Sequence, residues 1–247
     1  MKSFFLAIQL LTIFPIKFIG RVEPHELGRA TAFFPLVGAI QGAILVLSNI
    51  ILSRFLPYDI VDGLLLVILI LTNGGFHLDG FADTIDGIAG GGTKEERLKI
   101  MRDSQIGAIG VVALVLLILI KFLAINNIPF ESKNEILFLL PVFGRWAVVP
   151  MAYWGDYARE GEGVGRAFAE HTKTRELVIA TGDVIILSAI FLKLKGLLLI
   201  PAMFLFIYLT TLFFKKKIGG ITGDVFGFQS EMAEVLFLIM ALSLAVA

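Results

Sequence analysis

The sequence predicts an all-α integral membrane protein: a polytopic helical bundle of about seven transmembrane helices, plus an N-terminal interfacial or re-entrant helix. Three observations carry that expectation. Hydrophobic residues make up 57% of the 247 positions and charged residues 17%, with a mean hydropathy of +0.88, whereas soluble domains are roughly 45–50% apolar. Apolar stretches long enough to cross a hydrocarbon core recur along the whole chain. Period-two alternation is absent, so backbone groups in lipid must be paired within helices rather than in a closed barrel.

The elements follow in order. The first nineteen positions open with Lys2 and an apolar run, but Pro15 and Lys17 interrupt it and no small-residue cleavage site follows. The segment therefore reads as a retained helix rather than a secretory signal. Spans are expected near 30–54, 60–76, 106–126, 134–154, 177–193, 196–214 and 230–247, each bounded by charge, glycine or proline. Gly38, Ala39 and Gly42 in the first span, and Gly107 and Gly110 at the head of the third, suit close approach between helices. With no linker, low-complexity tract or internal repeat, residues 1–247 are expected to form a single transmembrane catalytic domain.

Lys+Arg and Asp+Glu are equal at 21 each, so net charge suggests no nucleic-acid partner. The distribution of charge sets a topology instead. Lys17, Arg21 and Arg29, the group Lys94, Arg97, Lys99 and Arg102, the group Arg159, Arg166, Lys173 and Arg175, and Lys215–Lys217 all fall on one side of alternating spans. Arg54, Lys133, Lys193 and Lys195 fall on the other, which places the first set in the cytoplasm and the C-terminus outside. Without cysteine there is no disulfide, thiolate nucleophile or thiolate metal site, so any metal is hard and oxygen-bound. Walker, dinucleotide-fingerprint and nucleophile-elbow motifs are also absent, which excludes the soluble nucleotide folds.

The candidate chemistry lies in Asn73-Gly-Gly-Phe-His-Leu-Asp-Gly-Phe-Ala-Asp-Thr-Ile-Asp-Gly87. On a helix, Asp79, Asp83 and Asp86 at i, i+4 and i+7 share one narrow face. Like charges so placed repel, and the arrangement suggests a compensating cation, Mg²⁺ being the natural one for oxygen ligands. Solvated boundary acids are the plainer reading. Gly74, Gly75, Gly80, Gly87, Gly90, Gly91 and Gly92 crowd the same segment, suggesting either close backbone approach to a ligand or a flexible loop. A second acidic group, Asp224, Glu231 and Glu234, follows Lys215–Lys217 where the chain re-enters the bilayer. Acids and bases meeting at one face suit a phosphorylated substrate, with Arg102, Arg145, Arg166 and Lys215 as candidate phosphate ligands. Arg145, set between Phe143 and Trp146 in an apolar run, is functional or paired by default. His25, His77 and His171 form no metal spacing; His77, two residues before Asp79, could orient a carboxylate or shuttle a proton.

Four ordered motifs then resemble one family closely: Gly74 to Gly87, Ile100 to Gly110, Tyr157-Ala-Arg-Glu-Gly161 and Gly219-Gly-Ile-Thr-Gly-Asp-Val-Phe-Gly227. The likeness runs from Leu10-Leu-Thr-Ile-Phe-Pro15 through Phe34-Pro-Leu-Val-Gly38 to the last span. The family is cobalamin synthase, or adenosylcobinamide-GDP ribazoletransferase, of vitamin B12 nucleotide-loop assembly. The resemblance implies that a ribose hydroxyl of α-ribazole, or of its 5′-phosphate, attacks the cobinamide-side phosphorus of adenosylcobinamide-GDP, and GMP departs. It implies magnesium held by Asp79, Asp83, Asp86 and Asp224, with Asp86, His77 and Asp103 as the candidate catalytic residues for proton transfer. The partners implied are the two small-molecule substrates and the lipid bilayer, with a homo-oligomer or pathway enzymes as further candidates.

Two other readings stand beside it. CDP-alcohol phosphotransferases share an Asp-x-x-Asp-Gly start, but Gly90 and Gly91 occupy their Ala-Arg positions here and two later aspartates are missing. A cation-coupled transporter would call for inverted repeats and discontinuous helices around midplane acids, whereas these acids cluster at one face.

Overall fold

The computed structural model describes residues 2–15 and 22–246. Lys17, Arg21 and the last part of the expected N-terminal helix lie outside the described residues. Eleven α-helices are present among the described residues, and a single Tyr157–Ile221 bridge is the one β-type pairing among them. Five helices are long and apolar enough to cross a membrane, or six if one bent pair counts as a span. The expected number of about seven is not confirmed on length and composition: the 60–76 run is a helix of only 16 residues, and the two runs at 177–214 form one helical stretch broken at Lys193.

Helix α1, Lys2–Leu11, has 10 residues, which gives ~15 Å, half a hydrocarbon core. Helix α2, Pro24–Ala30, leads through one 3₁₀ turn into α3, Phe34–Leu52. Helix α4 is Tyr58–Asn73, α5 is Phe76–Gly90 and α6 is Lys94–Ile100. Thr93 and Glu96 cap α6 reciprocally. The Thr93 and Gly92 amides that bond Glu96 hold its carboxyl below the usual carboxylate range. Helix α7, Ala108–Asn126, faces lipid with only 28% of its apolar stretch buried, whereas the stretch containing α8, Lys133–Trp154, is 89% buried. Helix α8 is therefore the axis of the bundle.

Helix α3 packs on α8 through Gly38 and Gly42, as their small size leads one to expect. A Cβ at Gly38 would lie 2.5 Å from the Pro141 carbonyl oxygen, and one at Gly42 would collide with that of Phe138. After α9, Val164–His171, the 45-residue helix α10, Thr174–Ile218, would be ~68 Å long if straight. It is not straight. Lys193 has φ 53 and ψ −137, and a Cβ at Gly196 would sit 2.7 Å from the Ser188 carbonyl oxygen. Eight residues of continuous helix would separate those points by about 12 Å, so the chain folds back at Lys193. The last helix, α11, Gly223–Val246, starts seven residues before the expected span.

Side-chain ties mark the two ends of the bundle. At one end, Lys133 Nζ pairs with Asp62 at 2.8 Å, Asn126 Nδ2 donates to Asp62 at 3.1 Å, and Lys195 Nζ donates to the Leu244 carbonyl at 2.6 Å. At the other, Arg97 Nη1 donates to the Lys217 carbonyl at 3.0 Å, and Ile221 N donates to the Asp156 carbonyl at 2.8 Å. The three basic loops around Lys94, Arg159 and Lys215 thus gather at the same end.

Candidate active site

Helix α4 stops at Asn73 because Gly74 and Gly75 take φ values of 69 and 75, a left-handed region that costs glycine little. The Asn73 side-chain oxygen accepts the Gly75 N–H at 2.8 Å, and α5 leaves at 89° to α4. The acidic segment is therefore a helix, and Asp79, Asp83 and Asp86 share a face as its spacing requires. The opposite face, with His77, Gly80, Phe81 and Thr84, is buried.

That buried face lies on α11 through paired glycines. A Cβ at Gly80 would stand 2.9 Å from Asp224 Cα, and one at Gly227 would stand 2.9 Å from the His77 carbonyl oxygen. The near-contact of the two backbones carries Asp224 to the acids of α5. Asp83 lies within electrostatic reach of Asp79, Asp224 and Asp86, and of the Arg159 guanidinium. Gly87 and Gly91 serve packing too, against Met101 and Arg97 of the α6 turn. At these positions the glycines admit neighbouring protein segments rather than a ligand.

The acids differ in what they already hold. Asp86 accepts the Gly107 and Gly110 N–H groups at 2.7 Å each. Those two glycines admit α5 as expected, a Cβ at Gly110 lying 3.1 Å from the Ala82 carbonyl oxygen, and they also seat the Asp86 carboxylate. Asp224 Oδ2 pairs with Arg159 Nη2 at 2.5 Å, and Thr222 Oγ1 lies 3.4 Å from the same oxygen. Arg159 is placed by the Tyr157–Ile221 bridge, with Ala158 N donating to the Ile221 carbonyl at 2.9 Å. Arg166 donates to the Arg159 carbonyl at 2.6 Å and lies over the Tyr157 ring. Lys215 pairs with Asp156 at 2.7 Å. Arg102 and Asp103 sit on an exposed turn, where Asp103 accepts the Gln105 N–H at 3.0 Å.

Arg145, Glu231 and Glu234, expected at the site, lie elsewhere. Arg145 is fully buried, donating to Gln41 Oε1 at 2.9 Å, Ser230 Oγ at 2.6 Å and Glu234 Oε1 at 3.2 Å. It presents no exposed donor to a phosphate. Glu231 and Glu234 both pair with Lys121 of α7 inside the bundle, Glu234 at 2.6 Å. They sit on the buried side of α11 instead of at its acidic mouth. His77 is 3% exposed and its Nδ1 has no hydrogen-bond partner. Two residues that sequence reasoning did not place are prominent here: Arg159, taken only as a topology charge although it lies in the Tyr157–Gly161 motif, and Lys121, a lone cation in an apolar run.

Comparison with known proteins shows the family. The cobalamin-5-phosphate synthase (CobS) family matches residues 3–242. An adenosylcobinamide-GDP ribazoletransferase of Acetivibrio thermocellus is 36% identical over 240 residues, covering 97% of each chain. Proteins of the same name from Geotalea daltonii and Pseudomonas syringae are each 37% identical, covering 96% of both chains and 97% and 98% of the two chains respectively. No solved structure matches. The match runs through α5, the Arg159 loop and the start of α11 alike, and so the chain belongs to the cobalamin-5-phosphate synthase family.

Proposed function

We propose that the acidic end of α5 and α11 is the transfer centre of this membrane-bound enzyme of cobalamin biosynthesis, which joins adenosylcobinamide-GDP to α-ribazole in building the nucleotide loop. The observation that carries the reading is the Gly80–Asp224 crossing, which sets a fourth carboxylate and its Arg159 partner against three acids of one helix face. A hydroxyl of α-ribazole, or of its 5′-phosphate, forms the new bond to the cobinamide-side phosphorus; the anhydride bond breaks and GMP carries the electron pair away. Arg159 offers positive charge to the phosphate oxygens, and Asp83, whose oxygens take part in no fixed helix anchor of the Asp86 kind, is the carboxylate placed to accept the hydroxyl proton.

The oxygen donors suit a hard divalent ion. Among the described residues no three acidic or histidine side chains converge as a ready-made cage, but Mg²⁺ ordinarily takes one or two carboxylates and completes its shell with water and substrate phosphates. Asp79 and Asp224 would hold it, leaving Asp83 for the proton, with Asp86 committed to the α7 amides. When bound, such an ion neutralises the diphosphate and the departing GMP. The centre is read as cytoplasmic, within one catalytic domain of a cell-membrane protein, because the basic loops gather at its end of the bundle.

The test is GMP release by purified protein in liposomes given adenosylcobinamide-GDP, α-ribazole 5′-phosphate and Mg²⁺. Asp83→Asn is expected to lose at least 100-fold in turnover while remaining inserted, and EDTA is expected to stop the wild type reversibly. An active Asp83→Asn variant removes that residue from the centre; full activity in chelator ends the metal reading.

A further inference from the structure

Beside the acidic cluster a cavity of about 380 Å³ opens between α1, α3, α5, α8, α9 and α11. Its walls include Phe34, Phe168 and Phe226, with Phe34 and Phe168 edge to face at 5.3 Å and Phe168 and Phe226 at 6.0 Å. Its polar groups are Asp79, Asp224 and His77. An aromatic, apolar chamber with a few polar groups is the usual form of a small-molecule site. The cavity thus joins two of the four clustered acids to a lipophilic chamber.

Size separates the two substrates. A nucleoside of about twenty non-hydrogen atoms falls within the ordinary range of such pockets, whereas adenosylcobinamide-GDP, with its corrin macrocycle, adenosyl group and guanosine diphosphate, is several times larger than this cavity. Chemistry separates them in the same direction. A flat aromatic base matches the phenylalanine walls, and its unglycosylated ring nitrogen is an acceptor of the kind that a buried histidine N–H lacks. His77 lines the cavity, and its Nδ1 is buried without a hydrogen-bond partner. A buried polar atom left unpaired is costly, so a bound partner is favoured. A lipid chain supplies none.

We propose that this cavity is the α-ribazole subsite, with the aromatic base among Phe34, Phe168 and Phe226 and the ribose toward Asp79 and Asp224, while adenosylcobinamide-GDP reaches the acids from outside it. The proposal rests on the acidic cluster being the transfer centre, and its test separates the two. Val164 lines the cavity and is 45% exposed, so it can be enlarged without filling a packed core. Val164→Trp should raise KM for α-ribazole at least tenfold and leave KM for adenosylcobinamide-GDP within twofold. The chain has no cysteine, so Val164→Cys provides a unique label whose small side chain preserves the fold. Saturating α-ribazole should slow its maleimide labelling at least fivefold, and adenosylcobinamide-GDP alone should not. An unchanged KM for α-ribazole in Val164→Trp, or protection by the corrinoid and not by the nucleoside, overturns the subsite. Full activity in the double variant Asp83→Asn with Asp224→Asn would instead overturn the transfer centre.

Discussion

Arg159 reaches Asp224 at 2.5 Å from a loop that belongs to no helix. The loop is held by backbone pairing of residues 156–158 with Ile221, two residues ahead of α11. Two motifs far apart in sequence are thereby fixed to each other before any substrate binds. Arg159→Ala is expected to cut turnover by at least 100-fold with membrane insertion unchanged. Arg159→Lys should recover only part of it, since an ammonium cannot reproduce the planar fork. GMP release in liposomes measures both.

Asp86 has a different task from its two helix neighbours. Its two oxygens take the Gly107 and Gly110 amides and so seat the start of α7 on α5. Asp86→Ala leaves both N–H groups without that acceptor, at roughly 1–3 kcal/mol for each buried one. It should lower the midpoint of thermal unfolding by several degrees, whereas Asp83→Asn should not. Equal midpoints in the two variants would remove the anchoring role.

Lys121, Glu231 and Glu234 form a buried ion cluster between α7 and α11, and Arg145 joins it from α8. Removing one partner leaves a charge without compensation, at about 3–5 kcal/mol in a buried pair. Lys121→Met should destabilise the protein by that order. Lys121→Met with Glu231→Gln should regain part of the loss, leaving Glu234 to Arg145. Denaturant unfolding in mixed micelles reads both variants.

How much of this the sequence disclosed depended on the length scale of each signal. Long apolar runs gave most of the spans, and the spacing of Asp79, Asp83 and Asp86 gave their common face, because helical period is a local property. Glu231 and Glu234 follow Asp224 closely in sequence and were grouped with it; on α11 they lie two and three turns further in, facing Lys121. Lys121 carries no such signal, since one cation among apolar residues barely alters the character of a span. Arg159 was visible as a charge, but its partner depends on a loop-to-loop pairing that has no periodicity to reveal it. The two runs at 177–214 were separable by Lys193 and Lys195, and the chain does turn back there.

The topology has its own test. Single cysteines replacing the exposed residues Lys99, Glu162 and Lys216 should react with an impermeant maleimide only from the cytoplasmic side, and one replacing Arg54 only from outside. Labelling of the first three from outside would invert the assignment.

The right-angle corner at Gly74 and Gly75 sets α5 crosswise to α4. From Asp79 to Asp86 the helix then advances ~10 Å at right angles to α4, a row of acids lying across the end of the bundle instead of plunging into it. A ledge of that length accommodates a diphosphate and an incoming hydroxyl side by side. Reagents of very unequal size can meet on it from different directions, and the larger one never has to pass between the helices.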